Sequence, residues 1–399
     1  MDFDFQHCIR CTICVENCPV YRVNPEFPGP KQAGPDTERF RCDDEKSLDK
    51  WIRLCSQCKR CEVSCPYGVS PAELILKEQI RYGTRHLMPL TSRIFARTYS
   101  FGLLASFIAP LVNKALSLKV IRRMLPLMGI SPGAPLPEFR FWTLKRSWRR
   151  KGSRKAVKKV FFFYGCFLNY NRPDIGRNIR DLLASLGLRV VMPKQYCCGL
   201  PALGNSDFEK ARRYAERNAR ILVEYIDKGY DILYACTSCG LTLTRDYPGI
   251  LKAPEGKKIA ENTYNIHEYL LKLIDEEGLE IDFKPLEKTV AYHIPCHLKA
   301  LGIGYPAAKL LDKIPGLHCT VLDDACCGLA GSYGFKYKNR TTASRLGEIA
   351  AAAIKEVHPD VLIADCGACR MQLEHFSDIQ AKDPLEILMA SLNPEPGGK

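Results

Sequence analysis

No part of this 399-residue chain looks built to cradle a nucleotide or to cross a membrane. It has no G-x-G-x-x-G opening a strand–helix unit and no P-loop, so nothing points to a flavin, nicotinamide or nucleotide of its own. Long apolar runs are missing as well. The best candidate, Thr98–Asn113 (TYSFGLLASFIAPLVN), has 16 uncharged residues where a spanning helix needs about 20, and it contains Gly102 and Pro110. No transmembrane helix is expected. The first residues, MDFDFQHCIR, lack a charged start followed by an apolar stretch. That predicts no secretory leader, and thiols that stay reduced in the cytoplasm and free to bind metal.

What the chain has in abundance is cysteine, 20 of them, and 18 fall into ordered sets. Cys8, Cys11, Cys14 and Cys18 with Pro19 are repeated by Cys55, Cys58, Cys61 and Cys65 with Pro66, both as C-x2-C-x2-C-x3-C-P. Four thiolates hold one [4Fe-4S] cubane, and in runs of this spacing the fourth cysteine, before proline, ligates the other cluster. One cubane is therefore assigned to Cys8, Cys11, Cys14 and Cys65, and the other to Cys55, Cys58, Cys61 and Cys18. Zinc also uses paired C-x2-C units, but a zinc site needs four ligands and does not ordinarily run as this spacing does, still less twice.

Downstream, Cys166, Cys197, Cys198, Cys236 and Cys239 are echoed by Cys296, Cys326, Cys327, Cys366 and Cys369 at an offset of 129 to 130 residues. Each set has a leading cysteine, a Cys-Cys-Gly and a C-x-x-C, five thiolates where a cubane needs four. Adjacent cysteines suit a more open, non-cubane cluster, and Gly199 and Gly328 would supply the positive φ and close backbone approach of such a turn. A further, more open iron cluster is expected in one or both halves, five ligands per half not being proof that each half is filled. His293 and His297 flank Cys296 but are left out of the ligand sets. Cys42 and Cys319 belong to no set and are taken as bystanders.

The rest of the repeat moves with the cysteines. Strand-like Val160–Tyr164 precedes Cys166 as Val290–Ile294 precedes Cys296, and Asp231–Ala235 and Asp360–Ala364 lead into Cys236 and Cys366. Helical segments correspond too, Ile266–Leu270 with Pro384–Leu388, and Asp207–Lys228 reads as a long helix. Buried strands alternating with helices predict two α/β units with mainly parallel sheets, whose ligands gather at the carboxyl ends of the strands. The fold class is thus α+α/β, with an α-helical double-[4Fe-4S] ferredoxin-type domain over residues 1–85 followed by two repeated α/β Cys-Cys-Gly domains, 156–285 and 286–399. Between them, 86–155 is an amphipathic and then basic connection. The Pro/Gly-rich loop from Asn24 to Pro35 is expected to hold neither helix nor strand.

The formal charge of +14 is uneven, much of the excess lying in Arg140–Lys159. Such a run suits an anionic membrane, an acidic partner or nucleic acid, or is a solvated linker. It lacks a reading motif, so nucleic acid is not expected as a partner. Just upstream, Leu104, Phe107, Ile108, Leu111 and Ala115 fall at helical spacing, flanked by Arg93, Arg97 and Lys114. This is a helix packed on the protein or one lying in a membrane interface, and packing is the preferred expectation.

Two ferredoxin-type runs followed by duplicated Cys-Cys-Gly domains resemble the CCG-domain iron–sulfur family. That family includes heterodisulfide reductase subunits, glycolate and lactate oxidase iron–sulfur subunits, and C subunits of anaerobic glycerol-3-phosphate dehydrogenase. The likeness is greatest to the last, through His7–Arg41 (with NPEFPGPKQAGPD), GCFLNYN from Gly165, IPCH from Ile294 and CCGLAGSYGFK from Cys326. The resemblance implies one or two non-cubane [4Fe-4S] clusters held by the five-cysteine sets, and an electron-transfer subunit of an oxidoreductase, with no catalytic residue assigned to the chain itself. Its electrons would come from flavin-containing A and B subunits and go to menaquinone, in anaerobic respiration on glycerol 3-phosphate. It also implies peripheral docking at the cytoplasmic face of the inner membrane. The alternatives it carries are a heterodisulfide or disulfide reductase and a lactate or glycolate oxidase iron–sulfur subunit.

Overall fold

The computed structural model describes residues 5–41, 51–148 and 158–392. Cys42 and residues 149–157 of the basic run lie outside them. Two four-stranded sheets, parallel throughout, form the frame. The first contains β1 (Lys159–Phe163), β2 (Arg189–Val191), β3 (Asp231–Tyr234) and β4 (Thr263–Asn265) in the order β2-β1-β3-β4. The second contains β5 (Lys288–His293), β6 (Leu317–Leu322), β7 (Val361–Ile363) and β8 (Ala381–Lys382) in the order β6-β5-β7-β8. The register pairs Val160 with both Val190 and Asp231, and Val290 with both Cys319 and Val361.

In each sheet the chain leaves the central strand to one side and returns on the other, which opens a crevice at the strands' carboxyl ends. The VFFF run of β1 is buried on both faces, as a central parallel strand requires. Helix starts are capped by side chains. Asp207 accepts from the Lys210 N–H ahead of Phe208–Asp227, and Asn265–Glu268 and Asp383–Glu386 form capping boxes ahead of Ile266–Asp275 and Pro384–Ser391. The same device at corresponding places in both halves is a second trace of the duplication.

The halves share one core. Val160, Phe162 and Ile179 of the first pack in one apolar cluster with Val290, Tyr292 and Leu385 of the second. Across the seam His267 Nδ1 lies 3.2 Å from the buried Asp365 carboxylate, which also accepts from the Tyr292 hydroxyl at 2.5 Å.

Two expectations fail locally. The Pro/Gly-rich loop ends in a π-helical turn, Gln32–Asp36, that runs into helix Thr37–Arg41. The wider π turn is where Pro35, which has no N–H to give an α-helical ladder, is tolerated. The Thr98–Asn113 stretch is two helices, Thr98–Phe107 and Ala109–Ser117, bent by 101°. Pro110 sits at the start of the second, where its missing N–H is harmless; inside one continuous helix it would clash with the preceding turn. Among the described residues no single helix is long and apolar enough to cross a membrane.

The bent pair also reverses the preferred reading of its apolar stripe. Gly102, Ala105, Ser106 and Ala109 face inward, whereas Leu104, Phe107, Ile108 and Leu111 are 52 to 68% exposed. Gly102 has no room for a side chain, because an added Cβ would meet the Tyr170 ring at 2.5 Å. Small residues let the helix sit close, and that closeness leaves the large ones outside.

Candidate iron–sulfur centres

The first two cysteine runs fold alike. Arg10 and Thr12 in the first, and Gln57 and Lys59 in the second, hold positive φ between 58° and 67° at equivalent positions around the second cysteine. Left-handed backbone is uncommon outside glycine. Here it recurs on both sides of Cys11 and Cys58, curling each run so that its thiols converge.

They converge in two separate small cavities. Cys8, Cys11, Cys14 and Cys65 line one, and Cys18, Cys55, Cys58 and Cys61 line the other. Each run thus sends its last cysteine to its partner. Burial, helped by the neighbouring sulfurs, raises the Cys14 thiol to about 11 and the Cys18 thiol to about 12. Such thiols give up their protons when a cation replaces them, so metal binding is coupled to folding here. A four-thiol donor set in each cavity fits a [4Fe-4S] cluster.

This module has little else to hold it. Its cores are Cys18, Val20, Phe27, Ala33, Ile52 and Ile75, and a smaller group of Cys14, Val15, Cys61 and Ala72. The two α/β halves instead share a large aliphatic core without a cysteine among its buried members. Chelation of iron is therefore expected to expose residues 5–70 to limited proteolysis while leaving 158–392 resistant, as mapped by mass spectrometry. Equal resistance of both parts would contradict this.

The ten downstream cysteines sit beyond the carboxyl ends of the strands, as expected. In the first half the thiols touch in the order Cys166, Cys197, Cys198, Cys239, Cys236. In the second the order is Cys296, Cys326, Cys327, Cys369, Cys366. It is the same path, link for link. Gly199 and Gly328 follow the paired cysteines at φ +109° and +81°, and a side chain on either would press on the carbonyl of Ala211 or Ala343. Cys319 stands in mid-strand, opposite Val290, apart from both sets.

The second ferredoxin-type run is wedged between the halves. Gln57 offers its carbonyl to His297 Nε2 at 3.3 Å, and His297 Nδ1 is 2.9 Å from the Ser238 hydroxyl, which lies between Cys236 and Cys239. The Cys58 thiol is in hydrogen-bond contact with Cys296. Lys59, buried, is 3.8 Å from Asp246 of the first half and 3.7 Å from Glu62. Burial opposes its charge, but those carboxylates outweigh it and keep the ammonium protonated. Arg60 donates to the Asp324 carbonyl of the second half at 2.7 Å. Four successive residues thus reach both α/β halves and all but join three cysteine sets.

Beside this junction lies a cavity of about 330 Å³, lined by cysteines of both halves, among them Cys166, Cys198, Cys239 and Cys366. Its walls are mostly apolar, with Met88, Phe335 and Met371 among them, and Lys336 and Lys338 also line it. Two buried acceptors on its wall, Gln57 Oε1 and Asn205 Oδ1, have no hydrogen-bond partner among the described residues. None of Lys59, Asn205, His297 or Lys336 was singled out as functional from sequence. Only His297, beside Cys296, carried a local signal.

Comparison with known proteins follows the same division. The family model of a cysteine-rich domain matches residues 160–244 and again 290–374, and that of a 4Fe-4S dicluster domain matches 4–69. The chain is 36% identical over 396 residues, 98% of this chain and 99% of the relative, to the C subunit of anaerobic glycerol-3-phosphate dehydrogenase from Escherichia coli strain K12. It is 27% identical to the B subunit of fumarate reductase (CoM/CoB) from Methanothermobacter marburgensis, over 96% of this chain and 71% of that one. To the D subunit of dihydromethanophenazine:CoB–CoM heterodisulfide reductase from Methanosarcina barkeri it is 25% identical, over 96% and 93%.

Proposed function

Because the chain belongs to the iron–sulfur family of the anaerobic glycerol-3-phosphate dehydrogenase C subunits, we propose that it carries electrons from a flavin-containing pair of partner subunits to menaquinone. It does so as part of anaerobic respiration on glycerol 3-phosphate, docked on the cytoplasmic face of the inner membrane. Iron–sulfur clusters, when bound, supply one-electron carriers. Cys8, Cys11, Cys14 and Cys65 hold one cubane, and Cys18, Cys55, Cys58 and Cys61 the other. Cys166, Cys197, Cys198, Cys236 and Cys239 hold one non-cubane centre, and Cys296, Cys326, Cys327, Cys366 and Cys369 a second.

The observation that carries this reading is the contact of Cys58 with Cys296. It joins the ferredoxin-type module to the second α/β half thiol to thiol, and His297 and Ser238 extend the junction to the first half. A pathway needs such continuity; four isolated structural metal sites do not. The apolar cavity supports the acceptor. It reaches cysteines of both halves; its two lysines can donate to the oxygens of a flat quinone ring, and its two unpaired amide oxygens can accept from the hydroxyls of the quinol.

Docking is supported by the outward-facing Leu104, Phe107, Ile108 and Leu111, with exposed Arg97, Lys114, Arg140 and Lys145 on nearby segments.

The test is reoxidation of the prereduced, reconstituted chain by the naphthoquinone menadione. Wild type should be reoxidised, and Met371→Trp should slow the reaction about tenfold to a hundredfold, since overfilling a packed site costs roughly 1–3 kcal/mol. Unchanged reoxidation would remove the cavity from the proposal, and no reoxidation of wild type would remove the quinone.

A further inference from the structure

The two halves share the same path of five thiols but differ at one residue that faces it. His293 ends β5, three residues before Cys296; its counterpart at the 130-residue offset is Phe163, which ends β1 three residues before Cys166. His293 is 1% exposed, and its ligating nitrogen, Cys327 Sγ and Cys369 Sγ all lie within 4.8 Å of one another.

A histidine buried in an apolar core ordinarily finds hydrogen-bond partners for its ring. His267 has its Nδ1 held between Asn265 and Asp365, although its Nε2 also has no partner among the described residues. For His293 the Nε2 has no partner among the described residues. Leaving such an atom unsatisfied is destabilising. Phenylalanine fills the same place in the first half without that cost, so packing alone does not call for imidazole. Imidazole binds metal in its neutral form.

We propose that His293 is a sixth donor of the second CCG centre, a neutral imidazole bound to iron beside Cys327 and Cys369, so that the two non-cubane centres of one chain are chemically unequal. The inference rests on the reading that iron occupies the second half, and it does not depend on the electron donor or acceptor. A neutral donor adds electron density to the iron but no negative charge. Donor identity and net charge are among the factors that set cluster potential. The two centres are thereby unequal in potential, and the second is the one that Cys58 touches.

The test is pulsed electron paramagnetic resonance on the reconstituted full chain, made with and without isotope-labelled histidine. Wild type should show a strong nitrogen coupling, of the size a directly bound imidazole gives, that changes with the label. His293→Phe, which copies the first half, should keep its iron content, lose that coupling and shift the midpoint potential of one centre only. If His293→Phe loads less iron, His293→Gln serves, and the coupling must vanish there too. The same coupling in the variants, or only the weak coupling of a hydrogen-bonded nitrogen in wild type, overturns ligation by His293. Iron confined to the N-terminal pair overturns the reading of the second half itself, and iron and sulfide analysis separates that result from the others.

Discussion

Cys58→Ser is expected to stop electrons at the N-terminal module. The variant should lose one cubane's worth of iron and keep a first cubane that is still reducible. Its downstream centres should be reduced by the physiological donor more slowly by orders of magnitude. The reason is placement. Cys58 is at once one of the four thiols around its cavity and the thiol that meets Cys296. Gln57, Lys59 and Arg60 beside it hold the module against both halves through His297, Asp246 and Asp324. Cys11→Ser removes a thiol at the exposed end of the module, and serves as the comparison. Freeze-quench electron paramagnetic resonance after donor addition reads both. If the downstream centres of Cys58→Ser fill as fast as those of wild type, the route does not pass through this contact.

The second large effect is on membrane binding. Leu104, Phe107 and Leu111 are 67, 56 and 68% exposed, so each keeps more than half of its surface to bury in lipid. Full burial of such side chains contributes about 1.5–3 kcal/mol each. Replacing all three with serine should therefore remove roughly 3–4 kcal/mol and lower partitioning onto vesicles by about a hundredfold to a thousandfold. The folded chain should be little affected, because the contacts that seat these helices come from Gly102, Ala105 and Ala109 on the other face. Sedimentation with anionic and with neutral vesicles measures it. The basic side chains predict weaker binding to neutral lipid and in high salt. Unchanged sedimentation of the triple variant would contradict docking by this face.

Much of the frame was legible from sequence because its signals are local. Val160–Tyr164 and Val290–Ile294 were expected as strands and are found at Lys159–Phe163 and Lys288–His293, since a short apolar run between helical segments is what a buried parallel strand needs. The helix read as Asp207–Lys228 is Phe208–Asp227, Asp207 being its cap. Gly199 and Gly328 have the positive φ expected of them, because in each half the turn after paired cysteines demands it. What periodicity could not show was anything that depends on distant partners. The exposed face of Thr98–Ser117 is decided by Tyr170, against which Gly102 fits. The junction at Gln57–Arg60 joins segments more than 180 residues apart, and no local pattern announces that His297 or Asp246 will be there. The π turn at Gln32–Asp36 was hidden by the very prolines and glycines that argued for a loop. His293 was visible as a neighbour of Cys296; only the fold shows that its counterpart Phe163 leaves the first half without a nitrogen at that place.

The place proposed for this chain is between a glycerol-3-phosphate-oxidising flavoprotein and the quinone pool. It is tested most directly on anaerobic membranes containing the chain, by following its iron–sulfur signals through electron paramagnetic resonance as glycerol 3-phosphate is added. Reduced signals should appear with the substrate and disappear when a menaquinone analogue follows. Signals that dithionite elicits but glycerol 3-phosphate does not would contradict the donor, and would turn the search to lactate, glycolate and disulfides.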